Sequence, residues 1–283
     1  MLNSKYLLTT LIASSISVNS LCNLSILEAF FLSIIQGITE WFPISSSGHL
    51  VLFQELFNIR VSAAFDILLH AGSLIGIIFF MRRDLYDLFK PFFKLNPSNK
   101  EERMLIYLML GTFPIIVSGL LFKDFVEMFF TNILSTGVAM LINGVIIFLT
   151  KKSRPKSKLN ASNAFLIGVS QAFAIIPGIS RMGITVSTAL ILGLEYGEAY
   201  RFSLLLSLLS IAGGCVFSLF FKFNNAYFEV DFLLSSIVIT AVVSVLALRF
   251  LKKYVSRQSF YKFAYYCLAL GGIILLSIFL KTL

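Results

Sequence analysis

Apolar residues in this chain fall into long runs separated by short charged connectors. Six runs, at about 61–81, 104–122, 133–150, 200–221, 232–251 and 263–280, are long enough to cross a bilayer as helices. Two further apolar stretches are interrupted. Residues 33–53 carry Gln36, Glu40, Pro43, Ser45, Ser46, Ser47, Gly48 and His49 in an otherwise apolar sequence. Pro43 breaks any helix, and the serines that follow suit the cap of a second, short one. Residues 164–192 repeat the plan: an apolar helix with Gln171, then Pro177, Gly178, Ser180, Arg181 and a second apolar helix. Neither half of either pair can span a bilayer, so both read as re-entrant hairpins. Broken helices at membrane depth are tolerated where they are buried in protein or line a wet cavity.

Charge then orients the spans. Lys and Arg crowd the connectors at 82–103, 151–158 and 252–262, whereas the intervening ones hold only Lys123 and Lys222 beside acidic residues. Basic loops face the cytoplasm, so the six spans alternate as they must. The first hairpin therefore enters from outside and the second from inside, each followed by three spans. That is an inverted-topology repeat, with halves at about 23–150 and 160–283 in one integral-membrane domain. The tips meet inside the membrane and bring Glu40, His49 and Arg181 together. The 84–103 and 151–163 connectors, with their charge, Pro, Ser and Asn, read as solvated.

Composition agrees: 58% hydrophobic and 13% charged residues exclude a soluble domain. The net charge of +9 is explained by loop topology and anionic headgroups, not by nucleic acid. Cys22, Cys215 and Cys267 are widely spaced and read as packing residues. Residues 1–22 form an N-terminal extension with a short apolar run and small or medium residues at 18–20, like a weak cleavable leader. An extra helix and an early start codon fit it equally well.

The chemistry lies in the hairpins. Gln36 and Glu40 are four apart and share a helix face, and Gly37 between them permits close approach of a neighbour. Ser45, Ser46 and Ser47 open a helix whose free N–H groups favour phosphate oxygens. Ser46 or Ser45 with His49 as base is an activated nucleophile, while water with Glu40 as base fits the same residues. Ser180 and Arg181 open the matching helix, and the guanidinium fork suits phosphate. His70 reads as a hydrogen-bonded structural residue, and Asp66 equally as structural or functional. Glu195 and Glu198 read as interfacial caps, Arg249 as snorkelling, and Glu28 as lying at the outer surface.

The segments Gln36-Gly-Ile-Thr-Glu40-Trp-Phe-Pro-Ile-Ser-Ser-Ser-Gly-His49 and Pro177-Gly-Ile-Ser-Arg181-Met-Gly-Ile-Thr185 resemble those of the undecaprenyl-diphosphate phosphatase family, bacterial enzymes associated with bacitracin resistance. The resemblance covers about 24–283, with Phe65-Asp66 and Gly72-Ser73 also alike. It implies an all-α polytopic fold with interdigitated re-entrant hairpins. It further implies hydrolysis of the lipid carrier diphosphate in the bacterial inner membrane, at a site open to the periplasm. The family's acidic pair falls on Gln36 and Glu40, which would hold a divalent cation (Mg or Ca). Its phosphate-binding arginine falls on Arg181, with Ser45, Ser47, Ser180 and Thr185 as further phosphate contacts. The implied partners are a polyprenyl diphosphate and the bilayer, and a homodimer is allowed. Gln36 and Met182 depart from the commoner Glu and Ser. Two rivals remain to weigh. Type 2 phosphatidic acid phosphatases need a histidine after Ser-Arg, and the only two histidines here, His49 and His70, lie upstream. A lipid-phosphate flippase would use the same architecture without needing a base or nucleophile.

Overall fold

A computed structural model of the chain describes residues 24–59, 61–93, 99–122, 132–221, 230–256 and 259–282. The leader-like 1–22 stretch lies outside them, as do Lys123, Asp124, Glu127, Lys222, Glu229 and Arg257. The described residues form helices and connecting turns, with no strand among them. In chain order the helices are α1 (Ile26–Thr39), α2 (Ser46–Phe57), α3 (Ala63–Phe80), α4 (Arg82–Phe93), α5 (Asn99–Leu121), α6 (Ile133–Leu149), α7 (Ala161–Ala172), α8 (Arg181–Ile191), α9 (Tyr196–Phe221), α10 (Val230–Ser256) and α11 (Phe263–Thr282).

Capping residues fix where these helices begin. Ser25 and Glu28 form a reciprocal capping box on α1. Ser45, Ser62, Asn132, Asn160 and Ser180 each accept a backbone N–H in the first turn of the helix they precede. Asn58 (φ 52°) ends α2 in the left-handed conformation that asparagine tolerates. Among the described residues, five helices (α5, α6, α9, α10 and α11) are long and apolar enough to cross a membrane. The sixth expected span is α3 with α4, two segments bent by 70° at Met81. At 18 residues, α3 alone rises about 27 Å, just short of a hydrocarbon core.

The 84–103 connector therefore departs from the solvated loop its charges suggest. Most of it is α4 and the start of α5, and α4 is amphipathic. Leu88 is buried, and Asp84 accepts a 2.7 Å hydrogen bond from Arg201 Nε on α9. Glu198 likewise does more than cap: it accepts the Leu159 N–H and ties the 151–160 connector to α9.

Helix pairing shows how the halves interlock. The broken helix α1 packs on α10 of the second half, and α7 packs on α5 of the first. α6 packs along α11, and α3 along α10 and α9. Small residues allow this closeness: a Cβ on Gly37 would meet Val243 at 2.8 Å and the Thr240 carbonyl at 2.9 Å on α10. Gly72 and Gly76 on α3 meet the same helix in the same way.

The two hairpins enter from opposite ends. Both ends of the α7–α8 hairpin lie beside the basic connectors, since Gly193 O accepts from Lys156 and Ser157 N–H. α1 starts away from that end and runs along α10 toward it, with Ser33 O accepting from Thr240 and Phe42 stacked on Phe250. The core gathers around the breaks, with Trp41, Met182, Val186 and Phe202 all at most 1% exposed. Outward-facing side chains such as Phe31, Ile75, Met109, Leu246 and Ile273 form an exposed apolar surface. A surface of this kind suits acyl chains. The protein is a multi-pass membrane protein.

Candidate active site

Each break presents a helix start to the other. α1 ends at Glu40, after which Trp41 to Ile44 turn the chain to Ser45, the cap of α2. Ser45 has φ 69° and ψ 104°, a conformation that costs a non-glycine residue on the order of 1–3 kcal/mol. The surroundings hold it there. Its Oγ accepts from Gly48 N–H and, across the repeat, from Gly178 N–H, both at 3.2 Å. In the second break a short 3-10 turn over Phe173–Ile175 leads to Pro177 and to Gly178 at φ 103°, where the glycine removes the same strain. Ser180 then caps α8, and its hydroxyl donates to Phe42 O in the first break at 3.3 Å.

A buried carboxamide from a full span joins the two. Asn143, in the middle of α6, donates through Nδ2 to Pro43 O at 3.0 Å and accepts the Ser180 N–H at 3.1 Å. These are backbone groups that the breaks strip of helical partners, and burial without a partner would be costly. Gly183 leaves room for it, because a Cβ there would lie 2.8 Å from Asn143 Oδ1.

Glu40 is the hub, only 7% exposed. One carboxylate oxygen, Oε2, accepts from Ser46 Oγ at 2.6 Å and from Gln36 Nε2 at 3.0 Å, and faces His70 Nε2 at 3.7 Å. The other, Oε1, faces Arg181 Nη1 at 3.8 Å. Glu40, Arg181, Ser46 and Gln36 thus come together as the motifs suggest. Arg181 Nε and Nη1 are buried without a hydrogen-bond partner, and so is Gln36 Oε1. Unused donors on a guanidinium beside a helix start are a ready anion site.

The remaining motif residues are placed differently from one another. His49 does not pair with Ser46. Its Nδ1 donates to Ser45 O at 2.7 Å, and its Nε2 lies 2.7 Å from the Tyr266 hydroxyl of α11. The two rings are stacked, 5.7 Å apart. They border an apolar cavity of about 560 Å³ lined by Ile35, Ile38, Phe53, Phe250 and Phe263. Sequence nearness misled here because the i to i+4 geometry of α2 aims the ring at its own N-cap carbonyl and the Ser46 hydroxyl at Glu40. Ser47 Oγ lies 3.2 Å from Ser45 Oγ. Thr185, fully buried, donates to Arg181 O. Ser45, Ser180 and Thr185 therefore spend their hydroxyls on the turns and on α8 itself.

Three residues of the site escape a motif reading. His70, read as structural, stands against Glu40. Its one signal was a histidine inside an apolar span, which by itself is common. Asn143 had the same kind of signal, a lone carboxamide between Ile142 and Gly144. Tyr266 had none, since tyrosines at 261, 265 and 266 look alike in sequence. Among the described residues, no group of three or more His, Cys, Asp or Glu is arranged as a metal cage. The oxygen donors at hand are Glu40, Gln36 Oε1 and Ser46, a set suited to a hard cation that takes its other ligands from a substrate.

Comparison with known proteins identifies the family. The family model described as bacitracin resistance protein BacA matches residues 29–273, from within the first helix of the first hairpin to the middle of the last span. An undecaprenyl-diphosphatase of Korarchaeum cryptofilum is 36% identical over 260 residues, 89% of this chain and 99% of that one. One from Caldicellulosiruptor bescii is 36% identical over 90% of this chain and 98% of its own length. Undecaprenyl-diphosphatase 1 of Bacillus cereus is 31% identical over 89% and 97%. With the motifs, their convergence and near full-length similarity in hand, this chain belongs to the bacitracin resistance protein BacA family.

Proposed function

We propose that the converged hairpins hydrolyse undecaprenyl diphosphate to undecaprenyl monophosphate and inorganic phosphate. One observation carries the chemistry: a buried guanidinium with two unsatisfied nitrogens sits at a helix start, across a carboxylate from a serine hydroxyl. A membrane protein gains nothing structurally from such an arrangement, because each unpaired buried donor is destabilising. A diphosphate satisfies it. Arg181 and the first-turn N–H groups of α2 and α8 bind the phosphoryl oxygens. In this account Ser45, Ser47, Ser180 and Thr185 contribute to phosphate binding by shaping those helix starts.

In this mechanism Ser46 is the nucleophile and Glu40 its base, a reading that the 2.6 Å Ser46–Glu40 hydrogen bond supports. Ser46 Oγ attacks the terminal phosphorus as its proton passes to Glu40. The bond from that phosphorus to the bridging oxygen breaks, and undecaprenyl monophosphate leaves. Having passed that first proton to the departing monophosphate, Glu40 takes a proton from the water that attacks the phosphoserine. The phosphorus–Oγ bond breaks to release phosphate while Glu40 returns that proton to Ser46 Oγ. Arg181 stabilises the charge gathered on the equatorial oxygens in both steps. His49, bonded to Ser45 O and Tyr266, holds the strained turn that aims Ser46.

The donors present fit a divalent cation such as Mg or Ca, held by Glu40 with Gln36 Oε1. When bound it neutralises charge on the diphosphate and leaving group. The site belongs in the cytoplasmic membrane and opens to its outer side, opposite the basic connectors. Turnover there returns the lipid carrier to cell-wall polymer synthesis and confers bacitracin resistance.

The test is phosphate release from undecaprenyl diphosphate by the purified protein in detergent, with and without a divalent cation. Release by wild type, lost in Arg181→Ala at an unchanged thermal unfolding midpoint, is expected. Failure of folded, lipid-binding wild type to release phosphate would overturn the phosphatase and favour a carrier.

A further inference from the structure

His70 has the marks of a ligand. Its Nδ1 lies 2.9 Å from Asp66 O, and a carbonyl can only accept, so Nδ1 carries the proton. The Asp66 carboxylate stands behind the same nitrogen at 3.9 Å. Nε2 is the nitrogen left facing Glu40 Oε2, and a cation there takes its lone pair in place of a proton. Metal-bound histidines are oriented in this way, with the second nitrogen tied to a carbonyl or carboxylate. The gap to Oε2 is 3.7 Å, too long for a hydrogen bond. Two donors at that separation, each about 2.1 Å from a shared cation, subtend about 120° at it. Beside them Gln36 Oε1 is buried with nothing to accept from, an independent sign of an absent electrophile.

We propose that His70 is a nitrogen ligand of the divalent cation, completing with Glu40 and Gln36 a mixed nitrogen–oxygen site. Its occupant is then a first-row transition ion such as Mn²⁺, which accepts imidazole more readily than Mg²⁺ or Ca²⁺ does. Gln36 brings no charge, so Glu40 supplies the only carboxylate among these three ligands. Oε1 of that carboxylate stays turned to Arg181, so the guanidinium and the imidazole face different oxygens of the one carboxylate. The inference rests on the phosphatase reading for the cation's purpose, but not for its geometry.

The full chain in detergent is titrated with Mn²⁺ in the presence of methylenebisphosphonate, a diphosphate that cannot be hydrolysed. Pulsed electron paramagnetic resonance then reads nitrogen coupled directly to the ion. Wild type and His49→Gln are expected to show that coupling. His70→Gln, of similar size and still able to hydrogen-bond, should lose it and bind Mn²⁺ about tenfold or more weakly. Mn²⁺ bound without nitrogen coupling, coupling that survives in His70→Gln, or no Mn²⁺ binding would each overturn the assignment. Phosphate release measured on the same preparation separates the two claims. Release without nitrogen coupling removes His70 alone, whereas coupling without release removes the phosphatase and leaves the metal site.

Discussion

The two broken hairpins share a backbone plan and divide the chemistry between them. Both run from an apolar helix through a proline-containing turn to a serine-capped helix start, and both carry a positive-φ residue in or beside that turn. In the second hairpin that residue is Gly178, and the turn is relaxed. In the first it is Ser45, and the turn is strained, with its side chain committed to holding the partner hairpin. The second supplies one cation, Arg181, and little else that reacts. The first supplies the carboxylate, the hydroxyls and an imidazole. Binding of an anion needs only fixed donors, so a relaxed helix start suffices. A nucleophile must be aimed, and in the proposed mechanism the strained Ser45 turn aims Ser46. In that mechanism the difference therefore separates grip from reaction.

The comparison can be broken at several points. Arg181→Ala should have the largest effect, lowering phosphate release by about 10³-fold or more, and Arg181→Lys should recover only part because a point charge lacks the fork. Ser46→Ala should follow, at about 10²–10⁴-fold, with substrate binding retained. Rapid quenching of Ser46 wild type with labelled substrate should reveal a phosphoserine, and equal turnover in Ser46→Ala would move the nucleophile to water. Asn143→Ala leaves Pro43 O and Ser180 N–H without their partner. It should lower thermal stability in detergent by about 1–3 kcal/mol and reduce turnover without altering the pH profile. Ser45→Gly should act least. It relieves the backbone strain but removes the cap and the link to Gly178, so stability should change by about 1 kcal/mol or less while turnover falls.

Sequence alone carried much of this and misplaced some of it. Six spans, two re-entrant hairpins and their opposite entry follow from run length, prolines and loop charge, each set by the cost of polar backbone in lipid. Glu40, Ser46 and Arg181 are legible because charged and hydroxyl groups stand out in apolar surroundings. What failed was partner choice. His49 is three residues from Ser46 in sequence, yet bonds to Tyr266, 217 residues away. His70 looked ordinary because its meaning depends on α3 lying beside α1, a packing made through Gly72, Gly76 and Gly37 against α10. The bend after Met81 was hidden too, since the charges of α4 resemble a loop until Leu88 and Asp84 find their contacts on other helices.

The central claim is that two hairpins from opposite ends of the bundle make one reacting centre, and a double-mutant cycle on turnover tests it most directly. Phosphate release is measured for wild type, Glu40→Ala, Arg181→Ala and the double variant, all checked for folding. A single centre predicts strong coupling, with the double variant barely worse than the poorer single one. Losses that simply multiply would mean that Glu40 and Arg181 act independently, which would contradict the account.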